Sequence, residues 1–303
     1  IDHIKYSITS KLNLLLSQKI SNFYKALFYG NKSFIDTVTL SKVKKSGSLH
    51  MLAASGMHVI ILLLLPTLLF SKLLVNKKIF YIINLFILLF YYSLTDSPTS
   101  LLRAILMYSI AIGFYIQNIQ RDSFNILFVT ALIIVLINPA EFYNLGFQLS
   151  FSATFGILLF FSKIEKRIYL PGIFRKSLAL SLSANIFTIP LLLYHLNEIN
   201  LTGFISNIFI LPIVGILFVS GIIVLLVSCI NEQIAVILSK GITLLYDLFE
   251  LCTGFFSSFS GHFFVAERNF ILTGIIILLL LSIVPVIKNK KVYIISTLFL
   301  YLI

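Results

Sequence analysis

Apolar residues fall along this chain in long runs separated by short polar connections. Ten runs stand out: Leu49–Phe70, Ile79–Leu94, Ser100–Gln117, Phe124–Ile137, Leu145–Phe161, Ser177–Tyr194, Leu201–Ser228, Gln233–Phe256, Phe270–Ile287 and Val292–Ile303. A helix crosses a bilayer with about 20 apolar residues, in a range of about 17–25. The pattern therefore predicts an all-α, polytopic helical integral membrane protein of about ten hydrophobic segments, some of them candidates for re-entrant turns. Phe124–Ile137 is short, and Val292–Ile303 stops at the end of the sequence. Leu201–Ser228 is long and carries Pro212 in its interior. Proline removes a backbone donor and crowds the preceding turn, so a kinked or broken, partly re-entrant helix is expected there.

Residues 1–47 read differently. Ile4, Ile8, Leu12, Leu15, Ile20, Phe23 and Leu27 recur at near-helical spacing, with Lys5, Lys11, Lys19 and Lys25 between them. This predicts one basic amphipathic helix, too polar to span and suited to the membrane surface. The division expected is thus a surface arm over residues 1–47 and a transmembrane domain over residues 48–303. A solvated face that seeks lipid headgroups and a face that gathers nucleic-acid phosphates both fit the lysines. Gly30-Asn31-Lys32-Ser33 lacks the spacing of a phosphate-binding loop and reads as a turn.

The densest chemistry lies in Ser48–Val59, at the mouth of the first apolar run. His50 and His58 are eight residues apart, a rotation of roughly 80° on a helix. They could share a face without chelating one metal. Ala53, Ala54, Ser55 and Gly56 leave room for close backbone approach. Polar groups at membrane depth are costly unless they face protein or water, so this stretch is either a functional site or a tightly packed helix entry. Arg103 sits early in its run, close in sequence to Asp96, and either snorkels to headgroups or meets an anion. Gln148, Asn185 and Asn207 are buried-amide candidates, as helix glue or as lining of a wet path. In Gln233–Phe256, the residues Gln233, Lys240, Thr243, Asp247, Glu250 and Gly254 fall within about 100° of arc. That stripe suits the membrane interface better than an anion path.

Composition agrees with the pattern. Hydrophobic residues make up 59% of the chain and charged ones 11%, with a mean hydropathy of +1.03. A soluble domain carries about 25% charged residues. If every run crosses, twelve basic residues between Lys72 and Lys291 share one side, against Arg103 and Arg268 on the other. Positive charge marks the cytoplasmic side, so the eight lysines of the arm fall outside, against the rule. Either the first run is re-entrant or the arm is an exported basic surface. Cys229 and Cys252 lie in apolar runs and read as packing residues, with no disulfide or zinc framework. The chain begins at Ile1 without a leader, as a piece of a longer protein would.

Five ordered motifs carry a resemblance spanning roughly Phe23 to Val227. They are Leu49–Val59; Ser100-Leu101-Leu102-Arg103-Ala104; Asn138-Pro139 with Gly146-Phe147-Gln148-Leu149-Ser150-Phe151; Ile189-Pro190-Leu191; and Asn207 with Pro212. In these the chain resembles the transmembrane competence domain of ComEC-type proteins, which admit single-stranded DNA during natural transformation. The resemblance implies a multi-pass protein of the bacterial cytoplasmic (inner) membrane whose arm is extracytoplasmic. It implies single-stranded DNA and membrane lipid as ligands, with an extracytoplasmic DNA receptor and a cytoplasmic motor ATPase as partners. Each phosphate carried inward opposes the membrane potential by about 2.3 kcal/mol per 100 mV, which also calls for a motor. His50, Ser55, Gly56, His58, Arg103, Gln148 and Asn207 are the candidates for one polar cavity on the DNA path. No catalytic residues, metal ligands or cofactors are indicated: there is no His-Glu-x-x-His, no Gly-x-Ser-x-Gly and no NTPase loop. The His-x-His-x-Asp-His motif of the nuclease-like domain in longer family members is also missing. Two other classes remain open: a membrane-embedded enzyme acting on a lipid-phase substrate through His50 or His58, and a small-anion transporter. The transporter would be expected to show an internal inverted repeat.

Overall fold

The computed structural model describes residues 1–70, 77–96, 99–119, 122–196, 198–200, 202–259 and 262–264. Eleven helices are present among them: α1 (Asp2–Leu15), α2 (Gln18–Tyr29), α3 (Thr37–Lys45), α4 (Gly56–Phe70), α5 (Lys77–Leu94), α6 (Thr99–Ile116), α7 (Ser123–Ile137), α8 (Leu145–Glu165), α9 (Gly172–Leu196), α10 (Thr202–Ser228) and α11 (Glu232–Ser258). Short 3-10 turns fill Lys32–Phe34, Leu49–Leu52 and Pro139–Tyr143. Two three-residue strands, β1 (Glu198–Asn200) and β2 (His262–Phe264), pair antiparallel. Apart from that ribbon, the regular structure among the described residues is helical. The helices α4 to α11 fall on the first eight apolar runs; the runs at 270–287 and 292–303 lie outside the described residues.

Polar residues between the runs set the helix starts. Asp36, Asp122, Asn144 and Asn231 each sit before a helix and accept a hydrogen bond from one of its first free N–H groups. Among the described residues, four helices are long and apolar enough to cross a membrane: α6, α8, residues Phe174–Leu196 of α9, and α10. Helix α10 runs unbroken through Pro212, which corrects the expectation of a broken, partly re-entrant segment. Its packed flanks explain the tolerance: Ile210, Val214, Leu217, Phe218 and Gly221 are buried against neighbours on both sides of the proline.

The N-terminal segment also departs from the reading of a single surface helix. The chain is extended at Leu16, so two helices form, and nine of the twelve residues of α2 are buried. Tyr24 donates to the carbonyl of Leu217 at 2.9 Å, and its ring lies on Gly221, where a side chain would collide with it. Phe23 packs on Tyr246 and Phe249 of α11. Lys25 is buried with its ammonium donating to Asn13 at 2.8 Å and Asn22 at 3.2 Å. A lysine satisfied in this way does not mark a solvated face.

Two apolar cores result. The larger joins α1, α2, α4, α5, α6, α10 and α11; the smaller, built mainly of phenylalanine, joins α7 and α8, with α6 and α9 packed on it. Large apolar side chains such as Phe86 of α5, Ile216 of α10 and Leu244 of α11 point outward instead. An outer apolar surface over an inner packed core is what a lipid environment requires.

Candidate functional site

The histidine stretch threads between α3, α10 and α6. Ser206 donates to the carbonyl of Ser46 at 2.5 Å, and Ser48 to Asn207 Oδ1 at 3.4 Å. Gly47, in the left-handed region at φ 76°, lies against Gly203 so closely that neither position admits a side chain without displacing backbone. The chain then makes the Leu49–Leu52 turn, extends at Ala53, and starts α4 only at Gly56. Ser100 at the start of α6 clamps this passage by donating to the carbonyl of Ala54 at 2.7 Å. Gly30 approaches Ala54 from the other side.

This route separates the two histidines. His50 is exposed on the 3-10 turn, whereas His58 is fully buried in the first turn of α4. The expected single helix face for both does not exist, because the extended residue Ala53 interrupts it. The N–H of Ser55 donates to His58 Nδ1 at 3.1 Å. That nitrogen is thus an acceptor, and the proton of the neutral ring belongs on Nε2, which has no partner. Tyr91 stacks on the ring at 6.2 Å and Phe218 meets it edge-on at 4.6 Å. Gly56 stands in open space, so the close backbone approach lies at Ala54 rather than there.

Arg103 is 2% exposed. It donates from Nη1 to Thr99 at 3.4 Å and lies 6.0 Å over the Phe151 ring, while its Nε has no partner. Asp96 is not its counter-ion. Asp96 pairs with Lys5 at 3.7 Å and accepts from Asn31 at 2.9 Å, tying α1 to the end of α5. The acid whose charge acts on Arg103 is Glu141. Gln148 behaves as glue: its Oε1 lies 2.9 Å from His195 Nε2, and its amide donates to the Phe142 carbonyl at 3.1 Å. Asn185 bonds within its own helix, to the Ser181 carbonyl at 2.7 Å.

The candidate residues therefore fall into separate polar contacts. Ser55 and His58 touch, Asn207 joins the same passage through Ser48, and Arg103 and Gln148 belong to the side of the smaller core. Two clefts occur on the N-terminal helices instead. One, of about 380 Å³, is lined by Gln18, Lys19, Asn22, Phe23, Ile35, Asp36 and Tyr246, with Lys19 paired to Glu250 at its edge. The other, of about 340 Å³, is lined by Lys5, Tyr6, Thr9, Tyr29, Asn31, Phe34 and Asp96. Burial raises the Tyr29 phenol, against the lowering effect of its contact with Thr9. The sequence reading missed Tyr91 and Asn84, both buried on α5 with an unpaired polar atom. Their seven-residue spacing on one helical face was the available signal.

Long apolar helices with outward apolar surfaces and inward polar side chains define a polytopic helical membrane protein. Within that class, residues 27–291 match the family model described as Competence protein, and the chain belongs to that family. It is 27% identical over 209 residues to ComE operon protein 3 of Bacillus subtilis (strain 168). That match covers 69% of this chain and 26% of the relative, so the chain spans about a quarter of the relative's length. No solved structure matches.

Proposed function

We propose that this chain forms the membrane passage for single-stranded DNA during competence, and that it catalyses no reaction itself. One observation carries the reading beyond the family. His58 and Arg103 are buried among apolar helices, and each keeps an N–H donor unpaired. A buried unpaired donor is costly, and one that meets a passing acceptor recovers part of that cost. Phosphate oxygens and base carbonyls are such acceptors. The passage would lie in the bacterial cytoplasmic membrane, with the basic loops on the cytoplasmic side and the N-terminal arm outside. An extracytoplasmic receptor would deliver the strand, and a cytoplasmic motor would supply the work against the membrane potential. Base catalysis on a lipid has less support, since His58 Nδ1 is engaged by Ser55 and the ring is enclosed.

The test is uptake of labelled DNA by cells that depend on this protein, comparing wild type with His58→Ala and Arg103→Ala at matched membrane levels. Uptake is expected to fall at least about tenfold in both. Unchanged uptake in both variants overturns the assignment.

A further inference from the structure

Helix α5 divides sharply into two faces. Ile82, Phe86, Leu89 and Phe90 are exposed, while Asn84, Leu88 and Tyr91 are buried in one stripe at i, i+4 and i+7. Tyr91 meets the His58 ring of α4, and the Tyr108 hydroxyl of α6 is hydrogen-bonded to the Asn84 amide, whose Oδ1 stays free. Three buried atoms of this group have no partner: His58 Nε2, the Tyr91 hydroxyl and Asn84 Oδ1. His58, Asn84 and Tyr91 are 0%, 2% and 7% exposed.

Helix glue accounts for the Asn84–Tyr108 bond but not for the unpaired atoms. A glue residue is retained because its polar atoms are paired across the interface, as those of Gln148 are. Three unpaired atoms between the same packed helices would consume a large share of the net stability of a fold. Donor and acceptor chemistry is present on both sides: the hydroxyl can do either, the imidazole Nε2–H donates, and the amide oxygen accepts. Sites of that kind hold ordered water, which takes two to four polar partners, whereas apolar voids stay dry. Asn84 and Tyr91 are about 10 Å apart along the axis with Leu88 buried between them, so a file joining the two has to pass beside Leu88.

We propose that His58, Tyr91 and Asn84 line a file of internal water between α4, α5 and α6, leading from the histidine stretch toward the middle of α5. The ligand is water, held by uncharged groups. The file specifies a route for the passage proposed above, and it is tested without DNA, so the two readings fail separately.

The experiment is single-cysteine labelling of the full chain in lipid vesicles, in a background carrying Cys229→Ala and Cys252→Ala. The probe is a sulfonated methanethiosulfonate, which reacts with wet thiols. Asn84→Cys and Tyr91→Cys are compared with Phe86→Cys on the outer face of α5 and with Ile134→Cys in the smaller core. Ile134→Cys also truncates a buried side chain, so it controls for water admitted by the substitution. Labelling at positions 84 and 91 is expected to be at least about tenfold faster than at 86 and 134. If Tyr91→Cys does not fold, position 84 decides. Rates at position 84 no faster than at 86 and 134, with full labelling after denaturation, overturn the file.

Discussion

The two cores of this protein are built from similar apolar residues but treat polar groups differently. In the smaller one, the amide of Gln148 is paired at both ends, and Gly156 brings α8 against the backbone of α9 at Ser183. In the larger one, α2 and α10 pack just as closely through Tyr24 and Gly221, yet His58, Tyr91 and Asn84 are buried unpaired beside them. Tight packing is therefore not what leaves those groups without partners. Gln148 has its capacity spent on neighbours, whereas the group in the larger core, and Arg103 beside the smaller one, keep hydrogen-bonding capacity in reserve. A passage through the membrane needs the second property and a scaffold needs the first.

Substitutions can break or sharpen this contrast. The largest effect is expected at Gly156→Leu, where the new side chain meets the backbone of Ser183 and the ring of Phe187. Overpacking against backbone cannot be relieved by a rotamer change, so a loss of about 3 kcal/mol is expected in thermal unfolding of the detergent-solubilised protein. Gly113→Ala, at a position with nothing nearby, should instead gain up to about 1 kcal/mol. Gly221→Ala presses on the rings of Tyr24 and Phe28, which can shift, so about 2 kcal/mol is expected by the same measurement. Tyr24→Phe removes the hydrogen bond to Leu217 while keeping the ring, at a cost of about 1 kcal/mol. Lys19→Ala removes a half-exposed ion pair with Glu250 and should change stability by at most about 1 kcal/mol, less at high salt.

Much of the fold was legible in the sequence because lipid imposes one rule, continuous apolar length: every run from Leu49 to Phe256 carries a helix, and four of these are long and apolar enough to cross. What failed was the inference from one residue to local shape. Pro212 predicted a kink or a break, and the break is absent: α10 is continuous, packed on both sides of the proline. Lysines between apolar positions predicted one continuous helix, but the chain forms two, and Lys25 is buried on Asn13 and Asn22, which no periodicity reveals. Asp96 is close to Arg103 in sequence, yet it pairs with Lys5 of α1, a long-range choice set by tertiary packing. In the candidate site, the motif residues His58 and Arg103 proved to be buried polar groups with unpaired atoms. Their neighbours Tyr91 and Asn84 escaped notice because each is ordinary alone, and only the stripe they share on α5 is informative.

The most direct measurement sets the two cores against each other in one assay. Labelled DNA uptake is compared between His58→Ala and Gln148→Ala at equal membrane levels, with thermal unfolding measured on the same variants. A passage lined by the unpaired groups predicts that His58→Ala loses uptake at least about tenfold at equal membrane level, and that Gln148→Ala largely keeps it. The reverse pattern, or equal loss of uptake in both, would contradict it.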